Sequence, residues 1–211
     1  MAPDSSLRWS LVIPVKVLAL AKSHLLAGPR RAELALAMAA DTVAAAAACE
    51  VVDSVVVVTD DAAATALLSG LGAHVVPDTP ADGLNPALAF GAAQADELWP
   101  GRGRGGLAAD LPALGSAELA RALTEAAAVP QAFVADAAGT GTTLYTARPG
   151  IVFWPRFGAG SRAAHLSGGV VELELPGLDG LRRDVDTVAD LRDAARIGLG
   201  PHTVAVAGPL A

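Results

Sequence analysis

The sequence predicts an α/β fold, one domain in three layers, with helices on both faces of a mostly parallel, mixed central sheet. Three observations carry this prediction. Through the first two thirds of the 211 residues, short β-rich apolar runs alternate with Ala-rich helical stretches, the pattern of a doubly wound sheet. Val55 to Val58 is a run of four valines, as expected of a strand buried on both faces. Aromatics are only 4% of the chain while hydrophobic residues are 53%, much of that alanine, which suits helices packed closely on a sheet. A chain of this length can bury a real core in one domain, 1–211, with 1–8 and 201–211 expected to be loosely ordered.

Taken in order, Leu11–Val15 reads as the first strand, with Pro14 marking its passage into a loop. A loop over 16–31 contains the turn signal Gly28-Pro29, and Arg30–Ala48 follows as a long Ala-rich helix. Ser54–Thr59 is the second strand, and Asp61 is placed to cap a helix running to about Ser69. Ala73–Val76 makes a short third strand, in which His74 reads as an edge or pocket-rim residue. A polar loop over 78–85 leads to a helix at Pro86–Leu98. The glycine-rich run 101–106 reads as a flexible connector; it precedes a strand instead of following one, so it is no dinucleotide fingerprint. Gly106–Pro112 is then a short central strand ending on Asp110. A helix at Ser116–Ala128 with Ser116 as its N-cap, and a strand at Gln131–Ala135, complete the alternating part. The last third holds two glycine loops, 139–143 and 157–162, a helix at Arg162–Ser167, a strand at Val170–Leu175 and a helix at Val188–Ile197.

Composition narrows the chemistry. A net charge of −7 argues against a nucleic-acid partner, which needs a basic face. No apolar run approaches the roughly 20 residues that span a bilayer, and the first eight residues lack the pattern of a secretory signal, so no membrane partner is expected. Cys49 is the one cysteine, which fits a reducing cytoplasm. Of 15 basic residues only Lys16 and Lys22 are lysine, and both follow the first strand. A compact ammonium on a flexible stem suits a triphosphate, although two residues can cluster by chance.

Asp110, at the mouth of the sheet, stands where α/β folds bind ligands; the plain alternative is that it caps the next loop. A second acidic pair, Asp184 and Asp186, is predicted at the same edge. Carboxylates from separate segments can hold Mg²⁺ against phosphate oxygens. Against this, Asp184 can pair with Arg182 or Arg183, and Asp186 can cap the last helix. The two glycine loops suit a small phosphorylated acid, since glycine lets backbone N–H groups close on an anion and a helix starting at Ser161 adds its positive end. The hydroxyls of Thr143 and Ser161 can donate to phosphate or carboxylate, and ordinary turn chemistry would use the same residue types.

Several segments together resemble one family. They are Ile13-Pro14-Val15-Lys16, Ala21-Lys22-Ser23 with Leu25, Thr59-Asp60, Gly83-Leu84-Asn85, Ala109-Asp110-Leu111-Pro112, the run Gly139 to Leu144, Phe157-Gly158 with Gly160-Ser161, and Asp184 to Thr187. The set is similar to the phosphoenolpyruvate or 2-phospho-L-lactate guanylyltransferases of coenzyme F-420 biosynthesis, from about Trp9 to Ile197. The resemblance implies a nucleotidyltransferase fold of the glycosyltransferase-A-like, nucleotide-diphospho-sugar transferase kind, with GTP as donor and Mg²⁺ as ion. It implies that Thr143, Gly158 and Ser161 hold the acid and that Asp110 with Asp184 or Asp186 holds metal. It further implies that Pro14, Lys16, Lys22 and Asn85 bind the nucleotide, with Lys16, Lys22 and Asp110 as the catalytic set. One position departs: His24 stands where the family usually has arginine, and a neutral imidazole cannot give a bidentate phosphate contact.

The activity so implied joins GMP from GTP to phosphoenolpyruvate, giving enolpyruvyl-diphospho-guanosine and pyrophosphate, for a downstream transferase that accepts the product. The same reaction on 2-phospho-L-lactate or 3-phosphoglycerate stays open, as does a non-catalytic nucleotide-binding protein of the same fold. A sugar-phosphate acceptor is disfavoured by the short chain, and a molybdopterin acceptor by glycine loops in place of a larger cleft.

Overall fold

A computed structural model describes residues 6–16 and 29–208. Lys22 lies outside the described residues, as do Ala21, Ser23, His24 and Leu25. Seven strands form one sheet in the order β3-β2-β1-β4-β6-β5-β7. The strands are β1 (Trp9–Pro14), β2 (Val52–Val58), β3 (His74–Val76), β4 (Gly103–Leu107), β5 (Gln131–Ala135), β6 (Thr142–Ala147) and β7 (Val171–Glu172). All neighbours are parallel except β6, which runs antiparallel between β4 and β5. The mixed, mostly parallel sheet is therefore as predicted.

Helices cover both faces. On one lie α1 (Pro29–Ala47), α2 (Ala62–Gly70) and α4 (Ser116–Ala126), packed on Leu11, Ile13, Val55 and Val57. On the other, α3 (Leu84–Leu98) packs on Val12, Val56 and Val58. The valines 55–58 of β2 thus divide between the two faces, two to each core, which is why this run has no polar alternation. Asp61 caps α2, its carboxylate accepting from the amides of Ala63 and Ala64 at 3.0 Å each. Four short or peripheral helices complete the chain: α5 (Ser161–Ser167), α6 (Asp179–Arg182), α7 (Val188–Ile197) and α8 (Pro201–Ala207).

Four expectations are corrected. The glycine run is no connector: Gly103 to Gly106 make up most of β4, and every residue of that strand is buried. A Cβ on Gly103 would lie 2.4 Å from the Trp9 ring, one on Gly105 2.5 Å from Leu11 and one on Gly106 2.9 Å from Leu88. The centre of the sheet is glycine because its neighbours' large side chains lie over it. As a consequence the strand ends at Leu107, and Asp110 stands three residues beyond it. The N-cap of α4 is Gly115, whose N–H donates to Glu118 at 2.8 Å, and Ser116 is the first helical residue. The late strand shrinks from Val170–Leu175 to the two residues of β7.

Near the end of the described residues, Pro201–Ala207 form α8. Asp41 of α1, itself buried, accepts from the amides of His202 at 3.0 Å and Thr203 at 2.8 Å and so caps α8. Gly200 is required just before it, since a Cβ there would lie 2.3 Å from the Asp41 carboxyl carbon.

Candidate active site at the carboxyl edge of the sheet

Parallel strands deliver their carboxyl ends to one edge, the usual place for a ligand in an open α/β sheet. Pro14 closes β1 there, pairing with Val58, and exposed Lys16 follows two residues on. Beyond the neighbouring β4, the 108–111 segment is fixed by its backbone. Ala108 N–H donates to the Thr143 carbonyl at 2.8 Å, and Leu111 N–H to the Thr42 hydroxyl of α1 at 3.1 Å. The Asp110 carbonyl accepts from Val185 N–H at 3.1 Å. That one bond brings the two acidic segments together, with half-buried Asp184 and exposed Asp186 flanking buried Val185.

The capping role weighed for Asp186 goes to another residue. The N-cap of α7 is Thr187, whose hydroxyl accepts from Asp190 N–H at 3.2 Å, while Asp190 accepts from Thr187 N–H at 2.8 Å. These bonds, with the Arg183 charge beside it, hold the Asp190 carboxyl below its ordinary range against the opposing push of burial. Arg183 lies 3.9 Å from Asp190 and 3.8 Å from Asp193, and Arg182 donates to the Asp136 carbonyl at 3.1 Å. Among the described residues no three His, Cys, Asp or Glu side chains gather as a metal cage. Two hard carboxylates at a sheet edge still fit Mg²⁺, which binds through one or two carboxylates and takes the rest of its shell from phosphate and water.

The two glycine loops meet beside this edge. In the first, Asp136 accepts from the amides of Thr140 and Gly141, both at 2.8 Å. Those amides are thereby spent on the protein, so they cannot close on an anion as the sequence suggested. Gly141 is glycine because a Cβ would fall 2.3 Å from the Asp136 oxygen. The loops are joined where Arg162 N–H donates to the Thr140 carbonyl at 3.2 Å. The second loop turns at Gly158, with φ of 125°, and at Gly160, with φ of 71°, a region open chiefly to glycine.

Thr143 and Ser161, one from each loop, share an uncommon property. Both side chains are buried, at 1% and 2% exposure, and neither hydroxyl has a hydrogen-bond partner among the described residues. Buried hydroxyls are normally paired, so two orphans on adjoining loops point to a polar ligand.

Asn85 sits differently from expectation. Its side-chain NH₂ donates to the Phe157 carbonyl at 2.9 Å, and Phe157 N–H donates to its carbonyl oxygen at 2.7 Å. The residue the sequence assigned to the nucleotide thus grips the backbone of the second glycine loop. Sequence reasoning also missed His165. Its ring is fully buried, stacked on Tyr145 and Phe133 at 5.0 and 5.3 Å, with Phe157 edge-on at 6.1 Å. Arg156 N–H donates to Nε2 at 3.1 Å, so Nδ1 carries the proton toward the Thr142 hydroxyl at 3.0 Å. Burial first, then the charge of Arg156, pushes the imidazole pKa down to about 4. His165 is therefore neutral at physiological pH. A lone histidine on a seven-residue helix carries no local signal of this role.

The sheet order with its single antiparallel strand is that of the nucleotidyltransferase fold, and acids and a lysine at its carboxyl edge suit a nucleotide's phosphates. A nucleotidyl transferase from Methanothermobacter thermautotroptrophicus shares the fold, with TM-score 0.57 at 21% identity over 90% of this chain and 97% of that one. A Mycobacterium tuberculosis protein solved in complex with manganese does too, with TM-score 0.54 at 20% identity over 90% and 98%. Residues 9–192 match the family described as guanylyl transferase CofC like, and the chain belongs to that family. The phosphoenolpyruvate guanylyltransferase of Thermomonospora curvata is 60% identical over 206 residues, 97% of this chain and 90% of that one.

Proposed function

We propose that this enzyme joins GMP from GTP to phosphoenolpyruvate, giving enolpyruvyl-diphospho-guanosine and pyrophosphate. A phosphate oxygen of the acid attacks the α-phosphorus of GTP. The new P–O bond forms as the bond to the bridging oxygen breaks, and the electron pair leaves with pyrophosphate. The attacking phosphate is already anionic, so the protein's task is positioning and charge neutralisation. The observation that carries the reading is the pair of buried, unpartnered hydroxyls of Thr143 and Ser161, which would donate to the phosphate or carboxylate of the acid beside Gly158.

Lys16 and Lys22 would meet the triphosphate, with Pro14 shaping the turn that presents Lys16. Asp110 with Asp184 or Asp186 would hold Mg²⁺, which when bound supplies charge neutralisation to phosphate oxygens. The backbone bond between Asp110 and Val185 supports that pairing. The reading includes a cytoplasmic setting, supported by the buried free thiol of Cys49, and a downstream transferase to take the product. No helix among the described residues is long and apolar enough to cross a membrane.

The test is pyrophosphate release from GTP and Mg²⁺ with phosphoenolpyruvate, 2-phospho-L-lactate and 3-phosphoglycerate side by side. Release is expected with phosphoenolpyruvate above the other two. A preference for another acid would reassign the acceptor, and no release with any would favour a nucleotide-binding protein without catalysis.

A further inference from the structure

The run 148–160, between β6 and α5, has no regular secondary structure, so no ladder fixes the path by which Gly158 and Ser161 reach the site. Side chains stitch it instead. Gln131 donates to the Val152 carbonyl at 2.9 Å, and Trp154 N–H donates to the Tyr145 hydroxyl at 3.3 Å. Next come the His165 bond to Arg156 and the two Asn85 bonds to Phe157. These last three are the final side-chain ties before Gly158. Asn85 meets both the N–H and the C=O of one peptide-bearing residue, as a strand neighbour would, and it does so from the first turn of a helix where asparagine is a poor helix former. The cap of α3 makes no use of it, since Gly83 stands there. His165 is held by aromatic rings on two strands, so its acceptor nitrogen has one direction to point.

Resting on the functional reading above, we propose that Asn85 and His165 are positioning residues for the phosphorylated acid: they hold the backbone of Arg156 and Phe157, and through it Gly158 and Ser161, at the distance the acid requires. Asn85 then serves the acid and not the nucleotide, although it follows directly on the Gly83-Leu84 segment. Loosening either tie leaves Lys16 and Asp110 where they are, because Lys16 follows β1 by two residues and Asp110 stands on the segment held by Thr42. The effect falls on the acid's KM, with little change at saturation.

The experiment compares Asn85→Asp, Asn85→Ala and His165→Phe with wild type by steady-state pyrophosphate release, varying the acid at saturating GTP and then the reverse. Asn85→Asp keeps the acceptor for Phe157 N–H and sets a carboxylate against its carbonyl; His165→Phe keeps the ring stack and removes the acceptor. The acid's KM should rise about 10-fold or more in each, the loss expected of a broken buried hydrogen bond, with the KM for GTP within about 2-fold. A GTP KM that rises as much as the acid's in Asn85→Asp would overturn the assignment, as would no change in either. Should the wild type release no pyrophosphate with any acid, the functional reading fails on its own, and hydrogen exchange then decides the inference. Amides 156–161 should exchange at least ~10-fold faster in Asn85→Asp and His165→Phe with those of β2 unchanged; unchanged exchange at 156–161 overturns it.

Discussion

Removing the hydroxyls of Thr143 and Ser161 should make the protein more stable and a worse enzyme. Both oxygens are buried without a partner, and a buried polar group left unpaired costs ~1–3 kcal/mol. Thr143→Val keeps the shape and deletes the orphan, so a gain of about 1 kcal/mol in unfolding free energy is expected. Ser161→Ala leaves a small void and should gain less. With the acid bound, each hydroxyl donates to a charged oxygen, a bond contributing ~1.5–3 kcal/mol, so the acid's KM should rise about 10- to 100-fold per site. Urea unfolding reads the first effect and pyrophosphate release at varied acid reads the second. If Thr143→Val were instead destabilised by ~1 kcal/mol or more with the acid's KM unchanged, the hydroxyls would be structural and the argument for the site would fall.

Asp110→Asn should lower turnover by about 100-fold or more through the loss of a metal carboxylate while thermal unfolding stays near wild type, since the segment is held by backbone bonds to Thr42, Thr143 and Val185; near-normal turnover would remove the metal role. Gly103→Ala forces a Cβ to 2.4 Å from the buried Trp9 ring and should cost ~1–3 kcal/mol in chemical denaturation. Gly70→Ala, which meets nothing within 4 Å, is the control and should be neutral or better. For His165, the folded pKa of about 4 lies below the free value of 6.5, so the unfolded chain binds more protons between them and stability rises with pH, by ~3 kcal/mol across the window. His165→Gln should lose less stability than wild type between pH 7 and 4.5; an equal loss would show that another group titrates there.

What the sequence made legible follows from how local each signal is. Val55 to Val58 and the Asp61 cap act within a few residues, and both are found as predicted. The glycines of β4 misled for a physical reason. Glycine that makes room for Trp9, Leu11 and Leu88 has the same composition as glycine that confers flexibility, and only the third dimension separates them. The cap of α8 was not legible because Asp41 is 161 residues from His202. At the site, Thr143, Ser161, Asp110 and Asp184 were named from the loop chemistry and the family's motifs. Thr42 and His165, which hold the backbone beneath them, bond to partners set by the fold and leave no spacing to read; Asp136 acts locally, on the amides four and five residues on.

That division has a cause. A site at the carboxyl edge of a sheet must be built from backbone that has left the ladder, and irregular backbone inside a protein needs other partners for its N–H and C=O groups. Here those partners are side chains: the adjacent Asp136 for the first glycine loop and, from elsewhere in the fold, Asn85 and His165 for the second and Thr42 for the segment bearing Asp110. Each uses its polar atoms on the protein, which keeps it from the substrate. The groups left to act are those without such a duty, and Thr143 and Ser161 stand out among them because burial has already removed their water. A ligand that pairs with them recovers hydrogen bonds without first displacing any from the protein, so under the proposed function binding the acid and satisfying the loops would be the same event.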